Sequence, residues 1–321
     1  MSLIKIGVAG IGSMGLNHCR ILKSMKNVEF IGVYDIDQER SEQVAKVFAV
    51  SVFSSYEKLI HAVDAVIIAV PTSSHYSLTL QAIQRGKHVL VEKPFVSSLK
   101  EAEQLRRMVE KEPVVVQVGH VERFNPAFKQ LSETVSPHNV LFIEARRFGV
   151  PNRQIDTDVI LDIMIHDIDI VLQLINSPLS TVTGVGYYTE EGKRLEAASA
   201  LLSFQNGCYA SLFSSRLSLE KKRSVYVTEQ DRFLKANLLT KELYIYHKAD
   251  RAPAGTLSCP PENVVGKIIV PHANALYLEL EHFLQAIQLK QHPKVGIHEA
   301  SKVLEVALKI KEQIEKSQHM K

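Results

Sequence analysis

At 321 residues the chain is long enough for two domains. With 45% hydrophobic residues, 23% charged ones and a net charge of +3, it is not a disordered segment, and no basic run is long enough for a nucleic-acid patch. The apolar runs are of strand length, short of a membrane span, and the three cysteines, Cys19, Cys208 and Cys259, form no C-x-x-C pair, which points to a reducing compartment without disulfides or structural zinc.

In chain order, L-I-K-I-G-V-A is a strand, with a helix over about 13–25. V-E-F-I-G-V-Y is the second strand, followed by a helix that Asp37 would cap. A-V-I-I-A-V, K-H-V-L-V and V-V-V-Q-V-G are further strands, separated by helices of about 73–85 and 98–111. Near-continuous Val/Ile strands between helices predict a doubly wound parallel sheet over 1–120. A strand starting by Leu3 leaves no room for a signal peptide, so a cytoplasmic protein is expected.

After residue 120 the pattern changes. A helix over about 158–175 precedes strands at about 180–189, 197–205, 208–215, 222–229, 231–238 and 241–247, with Asn206-Gly207 as a hairpin signal. Residues 251–264 read as a loop, and amphipathic helices of about 273–290 and 297–317 close the chain. The expectation is an α+β domain over 121–321 with a large open, mostly antiparallel sheet, whose C-terminal helices can return to the first domain. A wide sheet with one face covered by a helix needs a partner for the other, so a homodimer or homotetramer is expected.

Gly10-Ile11-Gly12-Ser13-Met14-Gly15 is a G-x-G-x-x-G between a strand and a helix, the context in which that motif cradles a dinucleotide pyrophosphate. Asp35 ends the second strand, where a carboxylate binds ribose hydroxyls and repels a 2′-phosphate, so NAD is expected over NADP. Arg40 is a mild counter-signal. Glu92-Lys93-Pro94 follows at another strand's carboxyl end.

D-V-I-L-D-I-M-I-H-D-I-D, residues 158–169, sets Asp158, Asp162, His166 and Asp169 in an otherwise apolar run. In a helix they share one face, with Asp167 opposite. Such a row is costly unless it faces a cleft. A metal site on it is set aside, because no further His or Cys cluster completes a shell.

The glycine fingerprint, E-K-P at a strand end and D-x-x-x-H in the second domain together resemble the glucose–fructose oxidoreductase and inositol dehydrogenase (Gfo/Idh/MocA) family, over nearly the whole chain. G-H-V-E-R-F-N-P (119–126) with I-H-D-I-D (165–169) is similar to its UDP-N-acetylglucosamine 3-dehydrogenase branch. The resemblance implies Lys93, Asp162 and His166 as the catalytic set. It implies Gly10, Gly12, Ser13, Met14, Gly15 and Asp35 against NAD, together with Pro71, Thr72, Ser73, His75, Glu92 and Lys93. Arg123, Asn125 and Asp169 match positions facing substrate. Met164 stands where many relatives have glycine.

The chemistry agrees with that assignment. His166 suits a base at neutral pH, Lys93 as an ammonium would steady an alkoxide, and Asp162 would orient the ring or balance the lysine. A lysine beside another cation can also act as the base. Arg146, Arg147 and Arg153 flank F-G-V-P-N before the helix, and arginine forks suit phosphate oxygens. The first expectation is therefore oxidation of UDP-N-acetylglucosamine at C3, supplying a 3-keto sugar for 3-amino-sugar synthesis (lipopolysaccharide, lipid A or a related glycan). The alternatives are a free cyclitol or sugar dehydrogenase, or an NAD-sensing protein without catalysis.

Overall fold

The computed structural model describes residues 3–149, 157–189, 194–247 and 264–318. By compactness the chain divides into a first unit of 1–121 with 274–305 and a second of 122–273 with 306–321.

In the first unit, β1 (Ile4–Ala9), β2 (Val28–Tyr34), β3 (Ser51–Val52), β4 (Ala65–Ile68), β5 (His88–Glu92) and β6 (Val116–Gly119) form a parallel sheet ordered β3-β2-β1-β4-β5-β6. Five helices alternate with them: α1 (Ser13–Ser24), α2 (Gln38–Phe48), α3 (Tyr56–Ala62), α4 (Thr72–Gln84) and α5 (Leu99–Val109). Every residue of β4 is buried, as expected of a central parallel strand covered on both faces. The strand order reverses between β1 and β4, the place where such sheets open a ligand crevice at their carboxyl ends. α8 (Ala275–Leu289) belongs to this unit: its Leu280, Phe283 and Leu284 join the core of Ile6, Val8, Cys19 and Leu22. α3 and β3 escape sequence reading because seven and two residues are too short to show a period.

The second unit is built on an eight-stranded sheet ordered β14-β13-β12-β11-β7-β10-β9-β8. Its strands are β7 (Val140–Phe148), β8 (Leu179–Tyr188), β9 (Leu195–Phe204), β10 (Tyr209–Ser215), β11 (Lys222–Glu229), β12 (Arg232–Asn237), β13 (Glu242–His247) and β14 (Val264–Ile268). All pairings are antiparallel except β7 with β10. β7, β14 and α6 (Pro126–Thr134) were not anticipated; β7 hides behind Glu144, Arg146 and Arg147, which break its apolar alternation. α9 (Ile297–Gln318) closes the chain, and the division between units falls inside it. Within the second unit, Gly184 and Gly186 of β8 leave room for Ile310 and Ile314 of α9.

The helix expected over 158–175 is two pieces: a π-helical stretch, Ile160–Met164, and then α7, Ile165–Leu174. Met164 is fully buried at the junction. Cys19 and Cys208 are buried free thiols, Cys19 pushed up to about 12 by burial, which leaves it inert. Cys259 lies outside the described residues, as does the expected 251–264 loop but for Val264, where β14 begins. Among the described residues no helix is long and apolar enough to cross a membrane.

Candidate active site

The first unit supplies a cradle made of main chain. Gly10 has a φ of +83°, and a Cβ there would sit 2.6 Å from the Ala69 carbonyl. A Cβ on Gly15 would sit 1.9 Å from the Gly10 oxygen. On Gly12 it would meet nothing within 4 Å. Two glycines are thus required by the fold, while the third leaves the helix start open. α1 begins at Gly12 without a side-chain cap and without an acid in its first turn. The motif's Ser13 is exposed and Met14 half-buried. Amides at a helix start with an uncluttered approach fit a pyrophosphate.

Asp35 accepts the Ile11 N–H at 2.8 Å and the Asp37 N–H at 3.0 Å, pinning the glycine loop to the end of β2. A carboxylate has about four lone-pair sites, so two bonds leave capacity for ribose hydroxyls. Asp37 caps α2 through the Arg40 N–H. The Arg40 guanidinium pairs with Asp37 at 3.2 Å, which removes the counter-signal for a 2′-phosphate.

Lys93 follows β5 and is half-buried. Glu92 beneath it is buried and bonds His18 Nε2 at 2.7 Å. Burial would raise the Glu92 carboxyl, but the His18 hydrogen bond and the charges of His18, Lys93 and His75 hold it below the ordinary range. In the loop after β4, Pro71 and Ser73 are exposed and Thr72 half-buried. His75 is turned inward, its two ring nitrogens each 2.8 Å from a backbone carbonyl.

The second unit supplies Asp162 and His166, one on the π-helical stretch and the other in the first turn of α7. π-helical turns inside α-helices cluster at functional sites. Asp162 is buried and His166 half-buried. The expected row of four does not act as one set. Asp158 caps the helix through the Ile160 and Leu161 N–H groups and pairs with Lys311 at 2.9 Å. Asp162 lies 3.5 Å from the guanidinium of Arg216. Asp169 holds Arg123 with bonds of 2.5–2.9 Å, both residues almost fully buried. Asp167, on the opposite face, holds Arg147 at 2.7–2.9 Å.

Four of the expected substrate contacts, Arg147, Asn125, Arg123 and Asp169, are engaged with the protein's own groups. Arg147 is 3% exposed and spends its guanidinium on Asp167 and, at 2.7 Å, on Glu122. Those two carboxylates hold its pKa above the usual arginine value despite burial. Burial alone would raise Glu122, but Arg147 and Arg223 outweigh it and hold the carboxyl down. Asn125 is buried, caps α6 and bonds Glu122 and the Leu238 carbonyl, a structural post. Arg123 and Asp169 are each other's partners. Arg146 is half-exposed beside Glu144, and Arg153 lies outside the described residues.

Sequence reading missed Arg216, Glu196 and Glu122. Arg216, 3% exposed, bonds Glu196 at 2.8 Å and the carbonyls of Thr157 and Leu195 while facing Asp162. Glu196 carried a usable signal: on β9 it is in phase with the buried Ala198, Ala200, Leu202 and Phe204, a charge on the inward face.

Comparison with known proteins matches this geometry to a family. Residues 4–120 match the model described as the oxidoreductase family, NAD-binding Rossmann fold, and residues 140–233 the GFO/IDH/MocA C-terminal domain. A UDP-N-acetylglucosamine 3-dehydrogenase of Acidithiobacillus ferrooxidans is 32% identical over 97% of both chains. A solved structure of that enzyme superposes with a TM-score of 0.89 at 31% identity, covering 98% of this chain and 99% of that one. The scyllo-inositol 2-dehydrogenase (NAD(+)) of Bacillus subtilis is 28% identical over 67% of this chain and 68% of its own. Levoglucosan dehydrogenase in complex with NADH shares the fold, with a TM-score of 0.87 at 17% identity over 98% of both chains.

Proposed function

Because the chain belongs to the Gfo/Idh/MocA family of NAD-binding oxidoreductases, and is an NAD-dependent sugar dehydrogenase on that ground, we propose that it oxidises C3 of UDP-N-acetylglucosamine to the 3-keto sugar. The observation that carries this reading is the 32% identity, over 97% of both chains, to an enzyme named for that reaction. The 3-keto product would suit an aminotransferase making a 3-amino sugar for lipopolysaccharide, lipid A or a related glycan.

In this reading Gly10, Gly12, Ser13, Met14, Gly15 and Asp35 bind the cofactor, with Pro71, Thr72, Ser73, Glu92 and Lys93 on its far side. When bound, NAD supplies the hydride acceptor. His166 takes the proton from the sugar hydroxyl, and Lys93 as an ammonium steadies the oxygen as charge develops on it. Asp162, 3.5 Å from the Arg216 guanidinium, orients the imidazole from one helical turn away.

A second reading, a dehydrogenase of a free cyclitol or sugar, is favoured by one finding. Arg147, the best described candidate for a diphosphate, is already committed to Glu122 and Asp167. A panel of UDP-sugars and free polyols followed by NADH absorbance separates the two. Activity on UDP-N-acetylglucosamine or a close UDP-hexosamine, with feeble turnover of N-acetylglucosamine and inositol, supports the first reading. A polyol used equally well promotes the second.

We also propose a homodimer or homotetramer joined through the eight-stranded sheet. Val185, Tyr187, Leu201, Tyr209 and Phe213 on that sheet are each at least 40% exposed, and such apolar surface on a monomer is an aggregation liability. Light scattering at micromolar concentration tests this, and a monomer would refute it.

A further inference from the structure

His75 sits on the first turn of α4 and is 1% exposed. Its Nδ1 lies 2.8 Å from the Pro94 carbonyl oxygen and its Nε2 2.8 Å from the Val70 carbonyl oxygen. Both partners are backbone carbonyls, which accept and cannot donate. A neutral imidazole has one N–H. It could satisfy one carbonyl and would aim a lone pair at the other. Turning the ring over does not help: it sets carbon atoms against both oxygens at the same separations, inside the roughly 3.3–3.6 Å of C–H···O contacts. A ring carrying both protons satisfies both acceptors, and charged donors make short bonds.

The counter-charge is close by. When protonated, Lys93 and His75 help hold the Glu92 carboxyl below the ordinary range. Among the described residues, the other buried histidines and acidic residues of this unit are His18, Glu279 and His120, which follows the β6 strand residue paired with Glu92. His18 on α1 gives its Nε2 to Glu92, and its Nδ1 has no hydrogen-bond partner among the described residues. Glu279 on α8 is fully buried, and burial together with the Glu92 charge raises its carboxyl well above the usual range, so it stays neutral. On α5, which packs against α4, Gln104 meets Tyr76, and Glu103 is taken by Arg106 and Arg107. One buried anion, Glu92, is thus left to balance the cations around it.

We propose that His75 is a buried imidazolium clamp that positions Lys93, its two N–H donors tying the loop after β4 to the loop after β5 at the carbonyl of the residue that follows Lys93. The proposal rests on the reading of Lys93 as a group that acts on substrate. His75 itself touches no substrate. It fixes where the lysine stands, and its charge keeps Glu92 from being the lysine's unopposed neighbour. Without that charge, Glu92 draws the lysine ammonium towards itself and away from the substrate oxygen, and the ammonium holds its proton to higher pH.

Two measurements on the full-length protein test this. In nitrogen-15 NMR of the histidine rings, one of the thirteen should keep both ring nitrogens protonated at about pH 9, well above the ordinary value of about 6.5. His75→Gln should remove that signal. A wild-type spectrum with every ring neutral at that pH overturns the proposal, whatever the enzyme's substrate and whether or not the variant folds. In kinetics, His75→Gln should lower kcat at least about tenfold and move the alkaline limb of kcat/KM, where the Lys93 ammonium is lost, to higher pH. An unmoved limb would leave His75 a structural residue only and defeat the positioning role. Should Lys93→Ala keep full turnover while the doubly protonated ring persists, the fault lies in the role given to Lys93 and not in the clamp.

Discussion

The two units build their candidate functional residues from different material. The cofactor side, around Gly10, Gly12 and Gly15, is backbone: a positive φ, two close approaches and an open helix start. The side around Asp162 and His166 is a lattice of buried charges in three groups: Arg216 with Glu196 and Asp162, Arg147 with Glu122 and Asp167, and Arg123 with Asp169. A backbone site tolerates change in every side chain that does not touch it. A charge lattice ties each member to its neighbours, so one substitution strands another charge in the interior.

The largest effect expected is on chemistry. Lys93→Ala or His166→Ala should reduce turnover by roughly 10²–10⁴, the worth of a positioned acid–base group, with NAD binding retained by calorimetry. Wild-type turnover in either variant would remove that residue from the reaction.

The lattice should break next. Arg216→Met leaves Glu196 and Asp162 buried with a partner lost, at a cost of about 3–5 kcal/mol in denaturant unfolding. Adding Glu196→Gln should recover part of it. If the single variant is as stable as wild type, the ion pairs are not what holds the strands to the helix.

The cradle should respond selectively. Gly15→Ala forces main chain apart and should cost both stability and NAD binding. Gly12→Ala should leave the melting temperature within a degree or two, because nothing in the protein opposes the new methyl. It should nonetheless weaken NAD at least tenfold, about 1.4 kcal/mol. Equal NAD affinity would show that the pyrophosphate does not approach there.

How much of this was legible in the sequence follows the same divide. Gly10, Gly12, Gly15, Asp35 and Lys93-Pro94 could be placed because a backbone site fixes residue type and spacing within one stretch of chain. Asp162 and His166 were found for the same reason, four residues apart on one helix. Arg147 reads in the sequence as an anion contact because its partners, Glu122 and Asp167, lie 25 and 20 residues away on either side. Nothing local tells an arginine bound for the interior from one bound for a ligand. Arg216 reaches Asp162 across more than 50 residues, and only the inward phase of Glu196 hinted at it. The π-helical stretch was invisible because an apolar run with acids four apart fits either helix.

The smallest effect concerns Glu279. Its folded-state carboxyl keeps its proton above the unfolded value near 4.5 because of burial and of Glu92. The stability it contributes is full below that value and is lost as pH rises towards the folded one. Glu279→Gln, which cannot ionise, should melt a few degrees higher than wild type near pH 8, and the gap should close near pH 4. A gap independent of pH would mean the carboxyl titrates normally.

One topological feature governs how the second unit can be made. β7 is the centre of its sheet, yet it is the first of those strands to be synthesised. Its partners β10 and β11 follow roughly 70–80 residues later in the chain. At about 5–20 residues per second a nascent chain presents β7 for roughly 3–14 s before either flank exists. During that interval Val140, Ile143 and Ala145, all buried in the finished protein, have no strand to pair beside them. Newly made protein should therefore depend on chaperones more than finished protein does, and a truncation ending before β10 should aggregate during translation.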